Sequence, residues 1–208
     1  MVLATGYAVD YEAALQEAKL EGATQLAGCL RKLLLARWRD AYIAAVERQT
    51  NLVRFRSRSF EYVLDLYSEL EAMGEIPYDQ TVEDRVVAVV GNSAVPDAPR
   101  AGTRIHGWLG ETGEIVGSTR DKGHFIARCI GGGLDVNVFS QERKLNRGWS
   151  AQGKIYRQME RYCQERPGTL CFSRPVYSEN SSVPHWLEFG LLKEDETLWV
   201  ETFDNVLA

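Results

Sequence analysis

Long apolar runs are missing from this chain. No stretch approaches the roughly 20 residues that a membrane-spanning helix requires, which excludes that class and leaves a membrane out of the expected partners. The first residues, MVLATGYAVDYEAAL, lack a basic stretch followed by an apolar run, so no secretory signal is visible. Synthesis in the cytoplasm is the expectation, with delivery to another cell by a signal-less route as the alternative. Cysteine is sparse: Cys29, Cys129, Cys163 and Cys171 make no CxxC pair and no Cys/His spacing suited to zinc. Reduced thiols are expected, and Cys163 and Cys171 would pair only in an oxidising compartment. Histidine is sparser still, at His106, His124 and His185. Internal repeats and low-complexity segments are absent. So is a basic excess: 24 Lys and Arg against 29 Asp and Glu leave a net charge of −5, which at first sight argues against nucleic acid.

The distribution of charge says something different. Residues 116–166 carry ten Lys and Arg against five acids, while residues 1–115 carry twelve against seventeen and residues 167–208 two against seven. A basic segment within an acidic chain is what attraction to phosphate uses, and it is equally the pattern of a solvated helix face. The 208 residues, 45% hydrophobic and 25% charged, have the composition of a soluble globular protein with room for one large domain or two small ones.

Residues 10–74 read as helical throughout, being rich in Ala, Leu, Glu and Arg with apolar residues at three- and four-residue steps, as at Leu30, Leu33 and Leu34. Ser59 is a possible cap for a last helix, FEYVLDLYSELEAMG, ended by Gly74 and Pro77. The basic stretch Arg31 to Arg39 fits a core-packing helix with solvated cations better than a membrane-surface element. VEDRVVAVVGNS predicts a strand at 82–90, and AVPDAPRAG, with two prolines, predicts a linker. The chain is therefore divided near residue 95, into a helical module at 1–95 and a β-rich domain at 96–208, with the 82–90 strand assignable to either side. In the second part the pattern predicts a hairpin turning at Glu111-Thr112-Gly113, a strand leading into TRDKGHFIAR, a flexible CIGGGLD and a polar helix at about 151–165. A strand in TLCFSRPVYS follows, then a hairpin around Glu194-Asp195-Glu196.

Three pieces fall in order: Asp121-Lys122-Gly123-His124; NVFSQERKLNRG at 137–148; and a helix bearing Glu160. Taken singly, each has an ordinary structural explanation: an edge histidine, a turn asparagine, a surface ion-pair partner. Their combination resembles the DNA/RNA non-specific endonuclease family, among the ββα-metal (His-Me finger) nucleases. That family shows Asp-Arg-Gly-His on a strand, then Asn-x-x-Pro-Gln, Leu-Asn-x-Gly and an acidic residue on a helix. Here the matching residues are Asp121, Gly123 and His124; Asn137 and Gln141; Leu145, Asn146 and Gly148; and Glu160. The likeness spans roughly residues 104–205 and does not reach residues 1–95. Lys122 stands where Arg is usual, Ser140 where Pro is frequent, and Asn146 and Glu160 are fourteen apart where two helical turns is commoner. That spacing suggests that GWSAQGK loops out ahead of the helix.

The resemblance implies an α+β fold, with the helical module followed by a ββα-metal nuclease domain built on an antiparallel sheet. It further implies a Mg2+ ion, or Mn2+, held mainly by the Asn146 side-chain oxygen with water and phosphate oxygens completing its shell. His124 would be the general base, with Asp121 or a backbone carbonyl orienting its ring. Glu160 would act on the metal through water. An Arg near the scissile phosphate is also implied, with Arg104 and Arg120 as candidates. Lys122, Arg143, Lys144, Arg147, Lys154, Arg157 and Arg161 would contact phosphates without reading sequence. Asn137 and Gln141 are expected to fix the loop, and His106 and His185 to pack or turn. The substrate class implied is DNA, with RNA as a second. Two other readings stand beside this one. One is an inactive module that keeps the fold and binds nucleic acid or protein. The other is a toxin or defence effector whose residues 10–74 meet an immunity or regulatory protein or a second copy of the chain.

Overall fold

The computed structural model describes residues 7–22, 25–79, 82–96, 119–133, 135–178 and 180–206. The hairpin expected at 104–118, with Arg104 and His106, lies outside them.

Two of the expected helices form. Helix α1 (Tyr11–Glu21) is capped by Asp10, whose carboxylate accepts from Ala13 N at 2.8 Å. Helix α2 (Leu26–Val46) buries Leu30, Leu34, Trp38 and Tyr42, a stripe of every fourth residue. Beyond it the expectation of continuous helix fails. Residues 52–65 are a hairpin, β1 (Leu52–Ser57) and β2 (Phe60–Asp65), closed by the pair Ser57↔Phe60. Ser59 lies in its turn and caps nothing, and Arg58 adopts a positive φ of 56° there. The physical reason is two-sided burial. Phe60, Tyr62 and Leu64 enter one core while Val63 enters another, a period of two that outweighs the helix preference of Leu and Glu. Only the short α3 (Tyr67–Ala72) remains of that helix.

Strand β3 (Arg85–Asn92) follows, and beyond residue 118 come β4 (Arg120–His124), β5 (Val138–Glu142), α4 (Arg143–Asn146) and α5 (Ala151–Glu165). Strands β6 (Leu170–Val176), β7 (Trp186–Leu192) and β8 (Leu198–Asp204) complete the described chain. The fold is α+β. Six strands form one antiparallel sheet in the order β1-β2-β3-β6-β7-β8, and β4 and β5 pair separately. The sheet crosses the boundary drawn at residue 95, since β3 pairs with β6 from Val89↔Ser173 to Asn92↔Leu170. Residues 1–95 are thus not a helical module apart from the rest: they contribute half of the sheet's strands.

The sheet is covered on both faces. Helices α1 and α2 bury Leu34, Trp38 and Tyr42 against Val87, Val90 and Phe172. On the opposite face β4, β5 and α5 bury Phe125, Phe139, Tyr156 and Met159 against Tyr62, Phe189 and Phe203. Two-sided burial explains why β3 reads as an unbroken RVVAVV. At about 1.5–3 kcal/mol for each fully buried large apolar side chain, both layers are needed for the sheet to hold. A buried ion pair, Arg174 Nη1 to Glu188 at 2.8 Å, lies beneath α1, where the Tyr11 hydroxyl also donates to Glu188. The four cysteines are free thiols, Cys163 and Cys171 both buried. Among the described residues no helix is long and apolar enough to cross a membrane.

Candidate active site

Strands β4 and β5 pair from Arg120↔Glu142 to His124↔Val138. Alternation puts Arg120, Lys122 and His124 on one face of this hairpin and Asp121 and Gly123 on the other. Glycine at 123 has a steric cause: a Cβ there would stand 2.1 Å from Oε1 of the buried Gln141. His124 follows at the end of the strand. The loop beyond is held by Asn137, whose side chain accepts from Ile126 N at 2.9 Å and donates to the Ile126 and Gly133 carbonyls at 2.8 and 2.9 Å. Within the segment expected to be flexible, Gly132 is packed so closely that a Cβ would fall 1.9 Å from Ile126 O.

Asp121 gathers three side chains. It accepts from Arg143 Nε at 3.0 Å, from Arg147 Nε and Nη2 at 2.7 and 3.0 Å, and from Asn146 Nδ2 at 3.2 Å. The Arg147 bonds, with those of Asn146 and Arg143, hold its carboxyl below the ordinary 3.8 against the opposing effect of burial. Asp121 therefore orients Asn146. Because the amide nitrogen of Asn146 faces Asp121, its amide oxygen is turned the other way.

Segment GWSAQGK does not loop out. Glu142 caps α4, its carboxylate accepting from Leu145 N at 2.6 Å, and Gly148 turns the chain at φ 71°. Ser150 then caps α5, accepting from Gly153 N at 2.9 Å. Gly153 lets the helices touch, since a Cβ there would lie 2.6 Å from Lys144 O. Helix α5 is the element that the three central candidates share. The Tyr156 hydroxyl donates to His124 O at 3.3 Å. Arg157 donates to Asn146 O through one amino group and to Glu160 at 2.9 Å through the other. Glu160 is buried, which pushes its carboxyl up, with Arg157 acting against the shift. It also raises the half-buried Cys129 thiol, after burial itself.

The expected phosphate contacts divide into two groups. Arg120 is anchored: Nε donates to Ser140 Oγ at 2.7 Å, Nη2 to Ser140 O at 3.0 Å and Nη1 to Asn205 O at 3.1 Å. Arg143 and Arg147 are bound to Asp121. Lys144, Lys154, Arg157 and Arg161 are exposed, the last three on one face of α5 at helical spacing. Lys122 is half-buried beside His124. His185 packs on Trp186 at 3.9 Å between ring centroids and bonds Ser178 Oγ at 3.0 Å, away from the hairpin's His124 end. Two residues escaped the sequence reading. Buried Asn205 ties Glu142 N, Ser140 O and Pro184 O together, and nothing in its closing FDN marks it out. Trp149 is 61% exposed beneath Arg147, and an aromatic beside Asn-Arg-Gly in the basic segment was a signal to be read.

Among the described residues no group of three or more His, Cys, Asp and Glu could hold a metal. The expected Mg2+ would have one neutral protein donor here, the amide oxygen of Asn146, as an ion that keeps most of its waters allows. Compared with protein-family models and with curated proteins, the chain matches none.

Proposed function

We propose that the chain is a Mg2+-dependent, sugar-non-specific endonuclease that hydrolyses the phosphodiester bonds of DNA and of RNA. One observation carries this reading: the backbone carbonyls of His124 on β4 and Asn146 on α4 accept from Tyr156 and Arg157 of α5, the helix that also bears Glu160, to which Arg157 donates in turn. His124 acts as general base and takes the proton of the water that attacks phosphorus, a task suited to an imidazole neutral near pH 7. Asn146 would hold the ion through its amide oxygen, kept in orientation by Asp121. When bound, the ion supplies neutralisation of charge on the phosphate and the leaving oxygen; Mn2+ is the expected substitute. Arg157 joins the backbone of Asn146 to the buried Glu160, which fixes the distance between α4 and α5. Lys144, Lys154 and Arg161 draw in the strand, with no ion-pair partner of their own among the described residues.

The test is degradation of plasmid DNA, single-stranded DNA and RNA with Mg2+, Mn2+ or EDTA. Wild type should cut, and His124→Ala and Asn146→Ala should each lose about 10²–10⁴-fold, the usual worth of a positioned general base or of a metal site. Intact DNA across all divalent metals, or a His124→Ala protein as active as wild type, would overturn the reading. DNA retained uncut and released steeply as salt rises would favour a binding module instead. Toxicity in cells that disappears with Asn146→Ala would assign the nuclease to a toxin or defence effector.

A further inference from the structure

We infer that Trp149, with Arg147 fixed against it, is a nucleobase-stacking subsite that directs this site toward unpaired strands. The inference rests on the nuclease reading for the class of ligand, and it adds a residue and a substrate form that the motif resemblance does not contain. An indole 61% exposed is costly to leave in water unless something covers it. Its backbone is held in place. Trp149 N donates to Lys144 O at 2.8 Å, and the next residue, Ser150, is the cap of α5. The Arg147 guanidinium lies 5.0 Å from the ring centroid and cannot swing freely, because two of its nitrogens bond Asp121 at 2.7 and 3.0 Å. Asp121 holds the Asn146 amide as well, at 3.2 Å. A single carboxylate thus positions both the proposed metal ligand and the cation over the aromatic ring.

The neighbourhood names the ligand. An exposed π-face with Arg147 5.0 Å from its centroid, in a basic segment where Lys144 and Lys154 are also exposed, suits a planar base carried on a phosphate chain. In a duplex the faces of each base are covered by their neighbours, so the ring can reach one only at an end, a bulge or a single strand. Stacking of this kind tolerates any base, in keeping with phosphate contacts that read no sequence.

The experiment is a cycle with one change on each side. Fluorescein-labelled single-stranded DNA oligonucleotides, intact or carrying one abasic position moved stepwise along the strand, are bound by His124→Ala protein with and without Trp149→Ala. Anisotropy reads affinity, and a duplex of the same sequence is run beside them. Cleavage is read separately with wild type, Trp149→Ala and Trp149→Phe. Trp149→Ala should weaken single-strand binding about tenfold and duplex binding less than about twofold, with Trp149→Phe recovering most of the loss. One abasic position should weaken binding by a similar factor when Trp149 is present and have no effect when it is absent. An abasic penalty that persists without Trp149 overturns the inference. Equal effects on single strands and duplexes do so too, as do readouts unchanged by Trp149→Ala, the result that a protein-docking tryptophan would give. Cleavage with no Trp149 effect leaves the nuclease reading standing without the subsite. Base-dependent binding through Trp149 without wild-type cleavage does the reverse, and a protein that neither binds nor cuts defeats both.

Discussion

Asp121 shows how little a motif says about the work of its own residues. Next to His124 in sequence, it reads as that histidine's partner; in the fold it faces the other side of the strand and joins Arg143, Asn146 and Arg147. Replacing it with Asn removes the charge and keeps the shape. Asp121→Asn should cost about 1–2 kcal/mol at neutral pH, a modest value because Arg147 is partly exposed and its bonds are screened by water. The pH dependence has a definite sign. A carboxyl held below 3.8 in the folded state adds stability at higher pH and loses it as the pH falls through the folded value. The gap between wild type and Asp121→Asn in urea denaturation should therefore be full at pH 7 and close under acid below 3.8. A gap that stays constant down to strong acid would show that the carboxylate charge contributes nothing.

Among the elements, α4 and α5 carry the site, and their contact depends on glycine. A side chain at position 153 would meet the backbone carbonyls of Lys144 and Leu145, at 2.6 and 2.9 Å from its Cβ, and backbone cannot move aside as a flexible side chain does. Gly153→Val should cost about 1–3 kcal/mol by overpacking and shift Asn146 relative to α5, so that cleavage falls further than stability. Thermal melting and cleavage rate measured together check this; unchanged values of both would mean that the helices are not held at that contact. The same two helices were partly legible beforehand. The polar composition of the segment placed α5 at about 151–165, where it lies. The union of Asn146 and Glu160 through Arg157 was not legible, because it depends on where two helices cross and no spacing rule encodes a crossing. Residues 52–65 were misread for a related reason: local composition favours helix, whereas pairing of β1 with β2 and of β2 with β3 makes them strands.

The whole molecule is a sheet between two layers, and this makes its parts interdependent. The expected nuclease segment, 96–208, holds β6 to β8 but not β3, the partner of β6. It also lacks α1 and α2, which cover Phe172 and Val176. Expressed alone, residues 96–208 should fail to fold, showing an aggregated or molten state by circular dichroism and amide exchange, while the full chain melts cooperatively. A folded, cooperatively melting fragment would refute the shared core. The helices thus have a structural role whatever partner their outward faces meet.

By itself the sequence determined what short-range chemistry dictates. Composition and three- to four-residue apolar periodicity specify α1, α2 and α5. An unbroken β-branched run specifies a doubly buried β3, and alternation with an acidic turn specifies β7 and β8. It also set out the residue types from which a phosphodiesterase site can be made. Tertiary structure decided which residues meet. It turned residues 52–65 into strands, anchored Arg120 on Ser140 and Asn205, gave Asp121 to Asn146 and Arg147, and left Trp149 exposed above that cluster. The reason is physical. Helix periods and caps act over a few residues and are written in them, whereas strand pairing and helix crossing join residues about 10–85 positions apart, and only the packed core selects among such partners.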